Sequence, residues 1–206
     1  SEHCFLASVS EETCKISSDG TKKYLFRLED GNHIETVLMK YEHGNSVCIS
    51  SQVGCNMGCR FCASTLNGKV RDLTAGEMFA QIAYINRTDP VSHVVVMGVG
   101  EPLDNFDSLV TFVRNLSSSK GFGMSQRHIS VSTCGLVPKI DRLAALNLQI
   151  TLSVSLHAPD DETRNLLMPV NRTYPVKDLL APCDRYTAAT GRRISYEYIM
   201  INGVND

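Results

Sequence analysis

From Val47 onward the chain repeats one pattern: a short apolar run, a polar or glycine-rich loop, then apolar residues at helical spacing. Val94 to Met97, His128 to Thr133, Thr151 to Leu156 and Ile194 to Ile201 read as strands. Between them, Met78, Phe79, Ile82 and Ile85 mark one helix, and Phe106, Leu109, Val110 and Val113 the next. Ile140 to Leu146 and Val176 to Ala189 supply two more, with Pro182 expected to kink the last or mark its true start. Thr74 and Glu77 have capping-box spacing, and Asp160, Asp161 and Glu162 place negative charge at a helix N-terminus. Such alternation predicts an α/β fold with a parallel sheet covered by helices. Counted from Val47 it has five strands and four crossovers.

The residues before this pattern read differently. Lys22 to Glu29 alternates, with Tyr24, Phe26 and Leu28 on one face. Asp30-Gly31-Asn32 is a hairpin turn, His33 to Met39 returns, and Gly44-Asn45 turns again into Ser46 to Val53. The expected organisation is a small β meander over 1–45 and an α/β part over 46–206. The opening Ser1 and the closing Gly203-Val204-Asn205-Asp206, which reads as a loop entering a helix, suggest an internal piece of a longer protein.

In parallel α/β sheets the working site lies beyond the C-terminal ends of the strands. The conspicuous positions obey that rule. Cys55, Cys59 and Cys62 follow the first parallel strand as C-x3-C-x2-C. Gly98-x-Gly100-Glu101 follows the second, Ser132 closes the third, and Ser155 and His157 end the fourth. Singly, each has a plain structural explanation. The glycines suit a tight turn, the serines are ordinary strand ends, and His157 alone reads as a core or surface histidine. Their convergence on one face is the stronger signal.

Three thiolates suit a four-iron, four-sulfur cluster with one iron left open to a small molecule, where an electron carrier would present a fourth cysteine. Gly54 and Gly58 let the loop curl, and Phe61 can shield it. Zinc is the alternative, with Cys48 as fourth ligand, although the second C-x2-C pair of structural zinc sites is missing. Cys48 has the strand parity of Ser50 and Gln52, opposite Val47 and Ile49. That predicts a polar-facing, reactive thiol, or else an unreactive small residue. Glu35 reads most simply as a solvated charge. Cys4, Cys14, Cys134 and Cys183 acquire no role.

Composition sets the outer bounds. The 206 residues are 43% hydrophobic and 20% charged, an ordinary globular balance. There is no apolar run near the ~18 residues of a membrane span. Eight cysteines without a disulfide framework suit a reducing, cytoplasmic setting. A net charge of −2 gives no support for nucleic-acid binding by bulk electrostatics. Lys69, Arg71, Arg127, Arg192 and Arg193 are scattered, as solvated surface charges are.

The loop Cys55-Asn56-Met57-Gly58-Cys59-Arg60-Phe61-Cys62 resembles that of radical S-adenosylmethionine (SAM) enzymes. Adding Ser50-Ser51-Gln52-Val53-Gly54, Met97-Gly98-Val99-Gly100-Glu101-Pro102, Ser130-Val131-Ser132-Thr133 and Ser155-Leu156-His157-Ala158-Pro159 narrows the likeness. Together they are similar to the RlmN/Cfr family of RNA adenosine methyltransferases, over about Ser18 to Asp206. The resemblance implies a partial (β/α)6 barrel holding the first five strands. It implies a 4Fe-4S cluster on Cys55, Cys59 and Cys62, and SAM against Gly100, Glu101, Ser132, Ser155, Leu156 and His157. In the family, one SAM methylates a protein cysteine, and a second yields a radical that activates this methyl group. The carbon joins an adenine ring, a base removes a proton, and a second cysteine releases methylated RNA by forming a disulfide. By position, Glu35 matches the proton acceptor and Cys48 the releasing cysteine. The methyl-carrying cysteine and the rest of the barrel fall beyond Asp206, which predicts that residues 1–206 do not turn over RNA alone. Implied partners are ribosomal and transfer RNA and a flavodoxin-like or similar electron donor, with a monomer at full length. Glu101-Pro102 and Val53 look more like the RlmN branch, which methylates carbon 2, than like Cfr, which methylates carbon 8. A non-catalytic cysteine metal-binding module and a radical SAM enzyme acting on another substrate are the rivals.

Overall fold

The computed structural model describes Ala7–Asp206; Cys4 lies outside these residues. Three strands open the chain as an antiparallel meander: β1 (Ser10–Ile16), β2 (Lys22–Arg27) and β3 (His33–Tyr41). β4 (Gly44–Ile49) pairs antiparallel with β3 on one side and parallel with β7 (Val91–Val96) on the other. It therefore joins the meander to the α/β part in one sheet. Between β4 and β7 lie the short β5 (Gln52–Gly54), β6 (Lys69–Asp72) and α1 (Ala75–Ile85). The chain continues through α2 (Phe106–Ser117), β8 (Ile129–Thr133), α3 (Val137–Ala145) and β9 (Thr151–Ser155). It ends with α4 (Asp161–Leu167), α5 (Val176–Thr190) and β10 (Ile194–Glu197). The large sheet runs β1-β2-β3-β4-β7-β8-β9-β10. Its last five strands are the five expected parallel ones, and the boundary expected at 45/46 falls inside β4.

Alternation fixes which sheet face the helices cover. Ile34, Leu38, Val47, Ile49, Val94, Val96, Val131, Leu152 and Val154 are buried in one core with side chains of α1, α2, α3 and α5. The opposite parity carries Val37, Cys48, Val95, Ser130, Ser132, Ser155 and Glu197, mostly half-buried. The helix ends follow their sequence signals. Thr74 Oγ1 accepts from the Glu77 amide at 3.1 Å, and the Glu77 carboxylate accepts from the Thr74 amide at 2.8 Å. Asp160 caps α4. Thr74→Ala therefore costs about 1 kcal/mol and lowers the melting temperature by about 2–4 °C, measurable by thermal denaturation followed by circular dichroism.

Three expectations are corrected. The strand expected over Ser46 to Val53 breaks at Ser50. The amides of Ser51 and Gln52 both turn to the Val99 carbonyl, and Ser50 donates its amide to Gln81 Oε1. The strand expected to run to Ile201 ends at Glu197, because the Ile199 amide donates to His157 Nδ1 instead of to a neighbouring strand. Of the two outcomes expected at Pro182, a helix start is ruled out: α5 begins at Val176 and runs through Pro182 to a left-handed cap at Gly191.

Candidate functional site

The break after β4 builds the cysteine loop. β5 and β6 pair antiparallel, with Gln52 opposite Asp72 and Val53 opposite Arg71, and so close the loop at its base. Gly54 makes the closure possible. Its φ is +73°, and a Cβ there would sit 1.9 Å from the Gly68 carbonyl oxygen. Inside the loop, Cys62 donates its amide to the Cys59 carbonyl at 3.1 Å, and Asn56 Oδ1 accepts from the Lys69 amide at 2.8 Å. The far side is pinned to α4, where the Arg60 amide donates to the Leu167 carbonyl at 2.9 Å. Cys59, Cys134, Leu167 and Met168 form a second small core, flanked by Met57, Phe61 and Cys62.

One cavity of about 210 Å³ opens against this loop. Cys55, Cys59 and Cys62 line it, and so do Gly100, Glu101, Ser132, Ser155 and His157. Leu156 is the exception, since its side chain packs toward the main core. Thr133 of the quoted motif also lines it, as do four residues given no part by sequence reasoning: Thr65, Cys134, Met168 and Glu197. Glu197 ends β10 and accepts from Ser132 Oγ at 3.1 Å and Ser155 Oγ at 3.3 Å. The rule that found the serines applies equally to it and to Cys134, for both lie at C-terminal strand ends.

The polar groups of the cavity are held in place. Gln52 is fully buried and its Oε1 accepts from the Glu101 amide at 2.9 Å, while Gly100, at φ +109°, leaves no room for a Cβ against Gln52. The Glu101 carboxylate accepts from the amides of Leu103 (2.9 Å) and Cys134 (2.8 Å). The side chains of Thr133 and Cys134 add further hydrogen bonds to it. Burial nevertheless pushes this carboxyl above the usual range. His157 has φ +58° and rests edge-on against Phe61 at 4.9 Å. Its Nδ1 accepts from the Ile199 amide at 3.1 Å, so the neutral ring carries its proton on Nε2.

Burial lowers the His157 pKa below 6.5, so the unfolded chain takes up the proton first as pH falls. Stability drops as pH falls through 6.5, and the loss is complete below the folded value. Thermal denaturation between pH 7.5 and 5.5 will show this decline, and His157→Gln will lessen it. His93, lowered by burial and then by His128 and His43, keeps the remainder.

The three thiols fit a cluster better than one ion. Among the described residues, no three His, Cys, Asp or Glu side chains converge closely enough to hold a single metal. Cys48 does not line the cavity. A zinc ion needs all its ligands around one point, whereas each thiolate of an iron–sulfur cluster takes its own iron. Burial pushes the Cys55 thiol up. It takes Cys59 to about 12, with Cys55 and Cys62 adding to the rise. Thiolates are the ligating form, and the cationic core of an iron–sulfur cluster would compensate their crowding.

Glu35 and Cys48 lie away from this cavity. They share a sheet face, since Cys48 pairs with Val37 and Ser50 Oγ donates to the Glu35 carbonyl at 2.6 Å. The Glu35 carboxylate is half-exposed and meets Lys23 Nζ at 2.7 Å. Cys48 has the expected parity and is half-buried. Burial, only partly offset by a bond with the Met97 backbone, takes its pKa to about 11. The free thiol is therefore protonated at neutral pH.

A family model described as the radical SAM superfamily matches residues 49–206. A probable dual-specificity RNA methyltransferase RlmN from Lachnospira eligens is 57% identical over the whole chain, which covers 59% of that relative. Another so named, from Clostridium acetobutylicum, is 54% identical over 90% of the chain and 54% of the relative. The crystal structure of a radical SAM methyltransferase from Sphaerobacter thermophilus superposes with a TM-score of 0.93 at 48% identity, over 96% of this chain and 60% of that one. The chain thus spans somewhat more than half the length of these relatives. No helix among the described residues is long and apolar enough to cross a membrane.

Proposed function

This chain belongs to the radical SAM superfamily, and from that premise we propose that it carries the cluster- and SAM-binding part of an RNA adenosine methyltransferase of the RlmN kind. The observation behind the proposal is the single cavity in which three cysteines meet Gly100, Glu101, Ser132, Ser155 and His157. In this reading Cys55, Cys59 and Cys62 hold a 4Fe-4S cluster. When bound, cluster and SAM together supply a carbon-centred radical. The protein's part is to orient and to keep dry. Glu101 accepts from the ligand's ammonium group, the open backbone at Gly100 admits the ligand, and Phe61 and Met168 exclude water. The His157 Nε2 proton and the Ser132–Glu197–Ser155 group supply the remaining polar contacts, with Leu156 contributing through its backbone. Glu35 accepts the proton from the adenine ring. Cys48 resolves the covalent adduct: its sulfur bonds to the sulfur of the methyl-carrying cysteine as that sulfur's bond to carbon breaks, and the carbon takes the electron pair and a proton to become the methyl group on the adenine. As its thiol is protonated when free, it must lose its proton as it attacks.

The substrates in this reading are ribosomal and transfer RNA, with methylation at carbon 2. The support is the names and identity of the relatives and the Val53 and Glu101-Pro102 signature. The test uses the full-length protein, SAM, a reductant and each RNA, followed by mass analysis of digested nucleosides. 2-Methyladenosine is expected. A carbon-8 product would move the protein to the Cfr branch, and no methyladenosine in either RNA would refute the reading. Residues 1–206 alone are expected to give no product, and methylation by that chain would refute the placement of the methyl-carrying cysteine beyond Asp206.

A further inference from the structure

Arg164 is a guanidinium with 0% exposure, set in α4 behind the cysteine loop. Its acceptors are all neutral. Nε donates to the Leu156 carbonyl at 3.0 Å and Nη1 to Asn171 Oδ1 at 2.8 Å. Nη2 donates to the carbonyls of Cys134 at 2.8 Å and Ser155 at 3.1 Å. The adjacent acid, Asp161, instead accepts from Asn171 Nδ2 at 2.9 Å and the Val176 amide at 2.8 Å. A full positive charge is therefore buried without an ion-pair partner among the described residues, which is costly unless an anion completes the site.

The geometry says where that anion belongs. Cys134, whose carbonyl Arg164 holds, lines the cavity and packs with Cys59 in the small core. Arg164 also grips the carbonyls of Ser155 and Leu156 at the end of β9. It thus lies one layer behind the cavity wall, on the side of Cys59.

We propose that Arg164 is the internal counter-charge of the iron–sulfur cluster, and that it makes the cluster easier to reduce. This rests on the cluster assignment of the proposed function. A thiolate-ligated cluster gains a negative charge with each electron it accepts. In a low-dielectric surrounding, a fixed cation favours the reduced state, and net charge and exposure are among the factors that set such potentials. Arg164 touches neither SAM nor substrate and acts through the cluster, so it is a positioning residue with an electrostatic role.

The test is an EPR-monitored redox titration of the full-length, anaerobically reconstituted protein without RNA, with dithionite as reductant. Arg164→Met is expected to lower the reduced-to-oxidised ratio at a given potential at least tenfold, a shift of 59 mV for one electron. Arg164→Lys keeps the charge and is expected to stay within about threefold of wild type, on the same scale. Iron content and circular dichroism report whether each variant folds and loads. Should Arg164→Met fail to fold, Asn171→Asp sets a carboxylate against Nη1 with Arg164 kept, and it is expected to lower the ratio in the same way. An Arg164→Met or Asn171→Asp cluster that loads fully and reduces like wild type overturns the inference. So does Arg164→Lys shifting as far as Arg164→Met, which would mark Arg164 as a hydrogen-bonding strut. A wild-type protein that folds but takes up no iron sinks the cluster reading itself, and the inference with it.

Discussion

Replacing Cys59 with alanine in the full-length protein is expected, on the proposed function, to leave a folded protein that neither holds a 4Fe-4S cluster nor methylates RNA. Cys59 is 8% exposed, between Cys134, Leu167 and Met168. Alanine keeps the backbone and the Cβ, so the lost packing is small and the loop retains its anchors at Arg60 and Asn56. What disappears is one of three ligands, and two thiolates do not hold a four-iron cluster that three already leave incompletely ligated. Iron should fall from about four atoms per chain to a minor fraction, the reduced EPR signal should vanish, and methylation should drop to the detection limit. Cys55→Ala and Cys62→Ala should match it. Full iron retention in Cys59→Ala would show that the cluster, if present, lies elsewhere. Cys14→Ala is the control, since Cys14 sits on β1 outside the cavity.

Gly54→Ala should produce the largest stability loss of any single methyl addition near the site. Two costs combine. A left-handed backbone in a residue other than glycine costs about 1–3 kcal/mol, and overpacking adds about 1–3 kcal/mol. The clash here is with the Gly68 carbonyl oxygen at 1.9 Å, a backbone atom that cannot rotate away. A loss of about 2–6 kcal/mol follows, or a melting temperature lower by about 10 °C at a few degrees per kcal/mol. Iron loading should fall with it, because the strain opens the β5–β6 pair beside Cys55. Gly31→Ala separates the two costs. Its φ is +83°, with nothing within 4 Å of the added carbon, so only the backbone cost applies. If the two variants melt together, the clash is being relieved by loop movement and the loop is softer than its hydrogen bonds indicate.

The parts of the fold visible in the sequence are those set by burial. Val94 and Val96, or Leu152 and Val154, point into the same core as α1 and α2 because alternation and helical spacing both serve that core. β1 and β6 were not legible for the converse reason. Ser10–Ile16 is largely exposed along its length, so its pairing with β2 leaves no alternation to read. Lys69–Asp72 owes its shape to β5 and to the ion pairs Lys69–Asp104 and Arg71–Asp30, long-range contacts with no local signature. At the site, the strand-end rule located the cysteines, Ser132, Ser155 and His157. It would also have found Glu197, had the last strand been ended there. That end depends on His157 taking the Ile199 amide, which only the folded structure reveals. Nothing in the sequence singles out Arg164, because burial of a long side chain is invisible to periodicity.

The turn after β4 has a thermodynamic consequence. Val99 holds the amides of Ser51 and Gln52, and Gln52 holds the amide of Glu101, so the cysteine loop and the glycine-rich loop share one buried joint. A tightening of one is therefore transmitted to the other. Two ligands that each favour the tightened joint are then linked, and linkage is symmetric. Whatever factor the metal centre adds to nucleoside affinity, the nucleoside must return to the retention of metal. A chain short of iron should consequently lose its grip on SAM through the joint as well as through the missing contact. SAM in the medium should slow the escape of iron to a chelator.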